Sequence, residues 1–193
     1  MATKFVTLKE AKDYCKVDND KSDWLFNTLI ESYTANIQNW TGKDIVSTTY
    51  NEKYDIGYRQ KFVFLKQYPI ISIVAVTSHT TAMVENTDYV AEYDTGILKK
   101  EEQDAIDVLD YIKDFWYEGQ HELQVTYIAG YATVPSPIKL ATLKLVKRDY
   151  FDSGVDDVKH RNTGGEFIIR YDLKDGMPQG VYTLLHPYRR ITE

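Results

Sequence analysis

The spacing of apolar residues changes twice along this chain, and that switch limits the folds open to it. Leu25, Leu29, Tyr33, Ile37 and Trp40 recur at the three-to-four-residue period of a helix with one buried face. From Ile45 the pattern turns into β-branched and aromatic runs: "KFVFL" at 61–65, "ISIVAV" at 71–76 and "HELQVTYIAGY" at 121–131, with Gly57 and Pro69 as punctuation. After Pro135 helical spacing returns through Ile138, Ala141 and Leu145. The expected fold class is α+β. An N-terminal αα-hairpin (1–44) and a C-terminal helix (135–151) are expected to form a helical core. A small antiparallel β module (45–134) is inserted between them, and the last region runs 135–193.

Local signals fill in the elements. Thr7-Leu8-Lys9-Glu10 is a capping box that opens a short helix to about Cys15. Asp18, Asp20 and Ser22 then precede the long helix, which Thr41-Gly42 ends. An EF-hand starting at Asp18 needs glycine at its sixth position and glutamate at its twelfth, and the chain has Asp23 and Leu29 there. The acidic turn is therefore expected to cap a helix through the Ser22 or Asp20 side chain, with Asp23 complementing the helix dipole, and no metal site is expected. Asp94-Thr95-Gly96 suggests a hairpin joining 88–93 to 96–100. Residues 101–116 revert to helical spacing through Ile106, Leu109, Ile112 and Trp116, a helical insertion in the β module. Ser136 is placed to cap the C-terminal helix and Pro137 to open it. Residues 152–166 are polar and glycine-rich, 167–171 are expected to form a short strand, and 178–193 to hold a last helical turn or two that Pro187 stops.

No enzyme signature stands out. The histidines at 79, 121, 160 and 186 show no zinc spacing, and no nucleophile elbow or dinucleotide fingerprint is present. "NTGGE" at 162–166 has glycines but not the lysine of a phosphate cradle. Cys15 excludes an intramolecular disulfide and reads as a small buried residue. Catalytic residues, metals and cofactors are all expected to be none, and no run is apolar enough to span a bilayer. With a net charge of −6, nothing draws the whole chain to nucleic acid phosphates. The 16 tyrosines suit a surface made for protein contacts.

Two basic clusters stand out from this background. Lys144, Lys147 and Arg148 share one side of the C-terminal helix, and Arg189 and Arg190 follow the apolar group "LLHPY". Arginine beside tyrosine is a common interface anchor.

Three stretches resemble the head–tail connector proteins of long-tailed bacteriophages, also called adaptors or head-completion proteins. These are 6–45 (capped helix, aspartate-rich turn, long helix and "TG" stop), 125–152 ("VTYIAGY", the "VP" pair and a helix) and "LLHPYRR" at 184–190. They fall in the family's order, and the β insertion is that of its longer members. The resemblance implies a structural protein of the virion neck, assembled in the host cytoplasm. Its copies form a ring, typically dodecameric, beneath the portal protein, with a stopper or tail-completion protein below and DNA passing through without specific binding. It further implies that Leu184, Leu185, Pro187, Tyr188, Arg189 and Arg190 face the portal or a neighbouring subunit. Lys144, Lys147 and Arg148 become candidates for a channel or interface face. The alternatives are another neck component, a stopper or tail-completion protein, and a small DNA-binding module that uses the same three basic residues.

Overall fold

A computed structural model describes residues 4–101, 114–152, 173–174 and 177–190. In chain order the elements are α1 (Leu8–Cys15), α2 (Asp23–Thr41), β1 (Thr48–Ile56), β2 (Phe62–Phe64), β3 (Ile70–Ser78), β4 (Thr81–Met83), β5 (Tyr89–Glu92), β6 (Ile97–Lys100) and β7 (Gly119–Ala129). Then come α3 (Ser136–Asp152), β8 (Leu173–Lys174), β9 (Met177–Pro178), α4 (Gln179–Leu185) and a 3₁₀ turn (His186–Tyr188). The fold is mixed α+β, in two units: unit one is Met1–Lys43 with Val134–Glu193, and unit two is Asp44–Thr133. Among the described residues no helix is long and apolar enough to cross a membrane.

In unit one the capping box is complete. The Thr7 hydroxyl accepts from the Glu10 N–H at 3.2 Å and the Glu10 carboxylate accepts from the Thr7 N–H at 2.7 Å. The Glu10 carboxylate also meets Lys139 of α3 at 3.0 Å. Cys15 is buried in α1, and burial raises its thiol pKa, which fits packing rather than reactivity.

The acidic turn differs from expectation. No side chain caps α2; its opening bonds are backbone ones, Phe26 N–H to the Ser22 carbonyl and Asp23 N–H to the Asp20 carbonyl. The carboxylates of Asp20 and Asp23 are drawn instead to the Lys12 ammonium, each at 2.8 Å. A cation one helix away competes better for them than backbone N–H groups do. The buried stripe of α2 is also rotated from the expected one: Phe26, Ile30, Tyr33, Thr34, Ile37 and Thr41 are buried, while Leu25, Leu29 and Trp40 are only half-buried. The helix is covered by both α1 and α3, so its buried centre lies between the two contacts. Phe26 stacks on Tyr150 of α3 with ring centroids 4.4 Å apart.

Ser136 is itself the first helical residue of α3, one position earlier than expected. The Pro135 carbonyl accepts from the N–H groups of Ile138 and Lys139. Ile138, Ala141, Thr142, Leu145 and Val146 turn inward.

Unit two holds a four-stranded antiparallel sheet in the order β1-β7-β3-β4 and a three-stranded one in the order β2-β6-β5. The β5–β6 hairpin turns at Asp94-Thr95-Gly96 as the sequence suggests. Strand β4 gave no signal of its own. One buried cluster draws on both sheets, with Leu98, Leu123, Val125 and Tyr127 inaccessible to solvent. Gly130 closes the module: its φ is +108°, and a Cβ there would lie 2.9 Å from the backbone of Ser47, so only glycine fits. The expected helix at 101–116 lies, for residues 102–113, outside the described residues. Trp116 is not helical. It is buried in the unit-two core, its indole N–H donating to the Lys61 carbonyl at 3.0 Å. The expected loop at 152–166 and strand at 167–171 lie beyond Asp152, likewise outside the described residues.

Candidate docking site

The C-terminal segment is held against its own unit by the helix that precedes it. In α4, Val181 and Leu185 are spaced one turn apart and both are buried. Leu185 is fully buried, so the structure spends it on the unit-one core and leaves Leu184 as its half-buried neighbour. Pro187 is the second residue of the 3₁₀ turn that follows, where its ring suits the first positions of a helical turn.

Beyond the turn the backbone becomes extended at Arg189, and the Arg190 N–H donates to the Thr41 carbonyl at the end of α2, at 2.7 Å. That carbonyl belongs to the last turn of α2, where helical acceptors lack partners within the helix. Gly42, at φ +67°, ends the helix, and its N–H returns to the Gln38 carbonyl. A Cβ added at Gly42 would lie 3.5 Å from the Cβ of Arg190, so the two residues sit side by side.

Trp40 is the platform of this site. The Arg189 guanidinium sits 5.1 Å from its ring centre, and Tyr182 meets it edge-on at 5.7 Å. Tyr182 also packs on His186 at 5.2 Å. The last turn of α2 carries no basic residue of its own, so Arg189 and Arg190 bring positive charge to the negative end of its dipole. The Trp40 indole N–H is buried without a hydrogen-bond acceptor. Trp40 counts in the sequence as one more apolar residue of the α2 face; nothing in its spacing marks it as the seat of a segment so far along the chain.

The three basic residues of α3 have separate surroundings. Arg148 donates to Asp149 at 2.8 Å and to the Tyr33 hydroxyl at 3.3 Å, and Tyr33 in turn donates to the Asp149 carboxylate. Burial, then Asp149, pushes the Tyr33 hydroxyl up to about 12. Burial works against the Arg148 charge, and Asp149 outweighs it, leaving the guanidinium held above its usual range. Lys147 lies 5.4 Å over the Tyr14 ring, and Lys144 points toward Gly180 at the start of α4. Arg148 thus works inside the helical unit, while Lys144 and Lys147 stay exposed. Among the described residues no group of three or more His, Cys, Asp or Glu is placed to hold a metal.

A family model described as "Head completion protein" matches residues 4–191. The chain belongs to the head completion protein family. It is a structural protein of the head–tail neck. No curated relative matches the sequence. Several solved structures match the fold. One is from the neck of an empty gene transfer agent (GTA) particle computed with C6 symmetry, with TM-score 0.58, 14% identity, and 98% of this chain and 91% of that chain covered. Another is from the virion of a native gene transfer agent particle, with TM-score 0.57, 15% identity, and coverage of 98% and 91%. A third is from the neck of a native GTA particle computed with C12 symmetry, with TM-score 0.55, 14% identity, and coverage of 100% and 97%. These likenesses extend over the fold of the whole chain.

Proposed function

We propose that this head completion protein is the connector, or adaptor, of a bacteriophage neck: its copies ring the channel beneath the portal protein and give the tail a seat. The family match along 4–191 is the observation that carries the reading. Fold relatives drawn from necks computed with C6 and C12 symmetry favour a cyclic ring, a dodecamer in the second case. The role is structural, with no catalytic step and no cofactor. An acidic chain suits a channel that must let DNA slide through without holding its phosphates.

The portal-facing surface in this reading is the segment around Leu184, Pro187, Tyr188, Arg189 and Arg190, with Leu185 as its buried foot. Seated on α2 by the Arg190–Thr41 bond and the Arg189–Trp40 contact, the segment is already ordered, so docking costs less conformational entropy than folding a loose tail would. Lys144 and Lys147 are the cations left to line or flank the channel.

The test is native mass across concentration, with and without cognate portal rings, on the wild type and on Tyr188→Ala/Arg189→Glu. The wild type is expected to form a portal-bound ring. The variant is expected to keep the fold, since its changes lie outside the core, and to lose portal binding by about a hundredfold. A chain whose mass ignores the portal moves the assignment to a stopper or tail-completion protein.

A further inference from the structure

All four exposed phenylalanine and tryptophan side chains among the described residues fall in two clusters, and the clusters are unlike. The first is the outer face of the β2-β6-β5 sheet. Strand alternation turns Val63, Leu98 and Ala91 inward and leaves two outward rows, Phe62–Lys99–Val90 and Phe64–Ile97–Glu92. Phe62 is 48% exposed and Phe64 67%. The loop before β2 adds Tyr58, with the Arg59 guanidinium 5.1 Å from its ring centre. The second cluster lies where α2 begins and α3 ends. Trp24 is 69% exposed and Phe151 60%, and the Tyr150 stack on Phe26 holds that end together.

Grouped aromatic exposure of this kind marks an interaction surface rather than ordinary surface scatter. A ring built from head-to-tail contacts needs two different, mutually fitting surfaces on each copy, and these two clusters differ in shape: a sheet face and a pair of helix ends. Their charges also match. Lys99 and Arg59 belong to the sheet cluster, whose one carboxylate, Glu92, already accepts from Thr95 at 2.8 Å. The helical cluster carries Asp18 and Asp20, both exposed, with Asp20 paired to Lys12 and with the exposed Lys21 beside them. Only the exposed 48–69% of these four side chains is left to bury, roughly 350–600 Å² in all. That is about half of the ~1,000 Å² a specific interface has to exceed, so Tyr58 and Val90, exposed beside them, have to share the contact.

We infer that the outer face of the β2-β6-β5 sheet receives the Trp24–Phe151 end of the next copy in the ring. The inference rests on the ring reading and adds to it the surfaces that close the ring.

The experiment compares sedimentation of the wild type, Phe62→Glu/Phe64→Glu and Trp24→Glu/Phe151→Glu, across concentration, with and without cognate portal rings. All four side chains are exposed, so thermal melts are expected to coincide. Should a glutamate variant melt early, the serine version at the same positions replaces it. Each variant alone is expected to stay monomeric, its self-association weakened about a hundredfold. An equimolar mixture of the two is expected to give a one-to-one dimer, because one intact pair of surfaces survives. If either variant still forms rings, or the mixture stays monomeric while the wild type forms rings, the inference fails and the ring reading stands. A wild type that is monomeric with and without the portal overturns both.

Discussion

Unit one and unit two both bury tyrosine hydroxyls against carboxylates, and they do it by different means. In the helical unit, Tyr33 of α2 reaches Asp149 of α3, and the neighbouring Arg148 supplies a positive charge to the same group. In the sheet unit the cation beside the group, the Lys66 ammonium, lies over the face of the Tyr54 ring, 5.8 Å from its centre. Glu52 accepts from both Tyr54 and Tyr127, the latter at 2.8 Å, while the N–H groups of Lys66 and Gln67 donate to the two phenol oxygens. The difference follows from backbone geometry. Strand alternation sets Tyr50, Glu52 and Tyr54 on one face of β1, with Tyr127 of β7 opposite Tyr50, so β1 supplies most of the cluster from its own sequence. A helix has to borrow its partner from a second helix, and the adjacent pair Arg148-Asp149 supplies acid and base together. Both solutions satisfy buried polar groups, but one is ionic and the other nearly all phenolic.

The largest expected effect breaks unit two alone. Gly130→Ala adds a Cβ 2.9 Å from the Ser47 backbone at a positive φ, which is expected to destabilise that unit by about 3 kcal/mol. Hydrogen exchange followed through urea titration checks it: amides of 44–133 are expected to lose protection, and uniform loss over the chain would argue that the units unfold as one.

Alkaline pH sharpens the contrast next. The Tyr33 and Tyr89 hydroxyls are each pushed up to about 12, and those of Tyr50, Tyr54 and Tyr127 are raised further, in every case chiefly by burial. Below pH 10 these groups hold their protons folded or unfolded. From pH 10 toward 12 the unfolded chain releases protons that the folded chain keeps, so stability falls as pH rises. Four of the five tyrosines belong to unit two, which is expected to lose about 2 kcal/mol more than unit one over that window once partial exposure is allowed for. Melts at pH 9, 10 and 11, read by exchange in each unit, test the order.

The smallest effect belongs to unit one. Asp149→Ala leaves the Tyr33 hydroxyl and the Arg148 guanidinium without their shared acceptor, at a cost of about 1–2 kcal/mol. Denaturant unfolding measures it, and a change below about 0.5 kcal/mol would show the trio to be a surface ion pair of little consequence.

The sequence makes the alternation of helical and sheet regions plain because burial imposes a period on residues close together in the chain. The Thr7 capping box and the Gly42 stop are equally local, and the structure shows both. What local reading misses depends on distant partners. Ser22 or Asp20 looks like the cap of α2, but no side chain caps that helix and Asp20 is held by Lys12. The buried stripe of α2 turns toward Phe26 and Ile30 because two helices cover it. In "KFVFL" the alternation alone says that Phe62 and Phe64 share a face, and only the pairing with β6 shows that this face is the outer one. The segment proposed to dock stands out in the sequence as "LLHPYRR", but its seat on Trp40 and Thr41 joins residues far apart in the chain and has no local signal.

That last bond bears on the order of synthesis. Residues 44–133 are complete long before the ribosome reaches Arg190, so unit two can fold while unit one still waits for its later helices. The final turn of α2 receives the Arg190 N–H only once translation has passed that residue, although α2 itself is made early. A chain stopped short of Arg190 lacks both this closing bond and the residues proposed to meet the portal. The end of α2 is therefore among the last parts of unit one to be closed during synthesis.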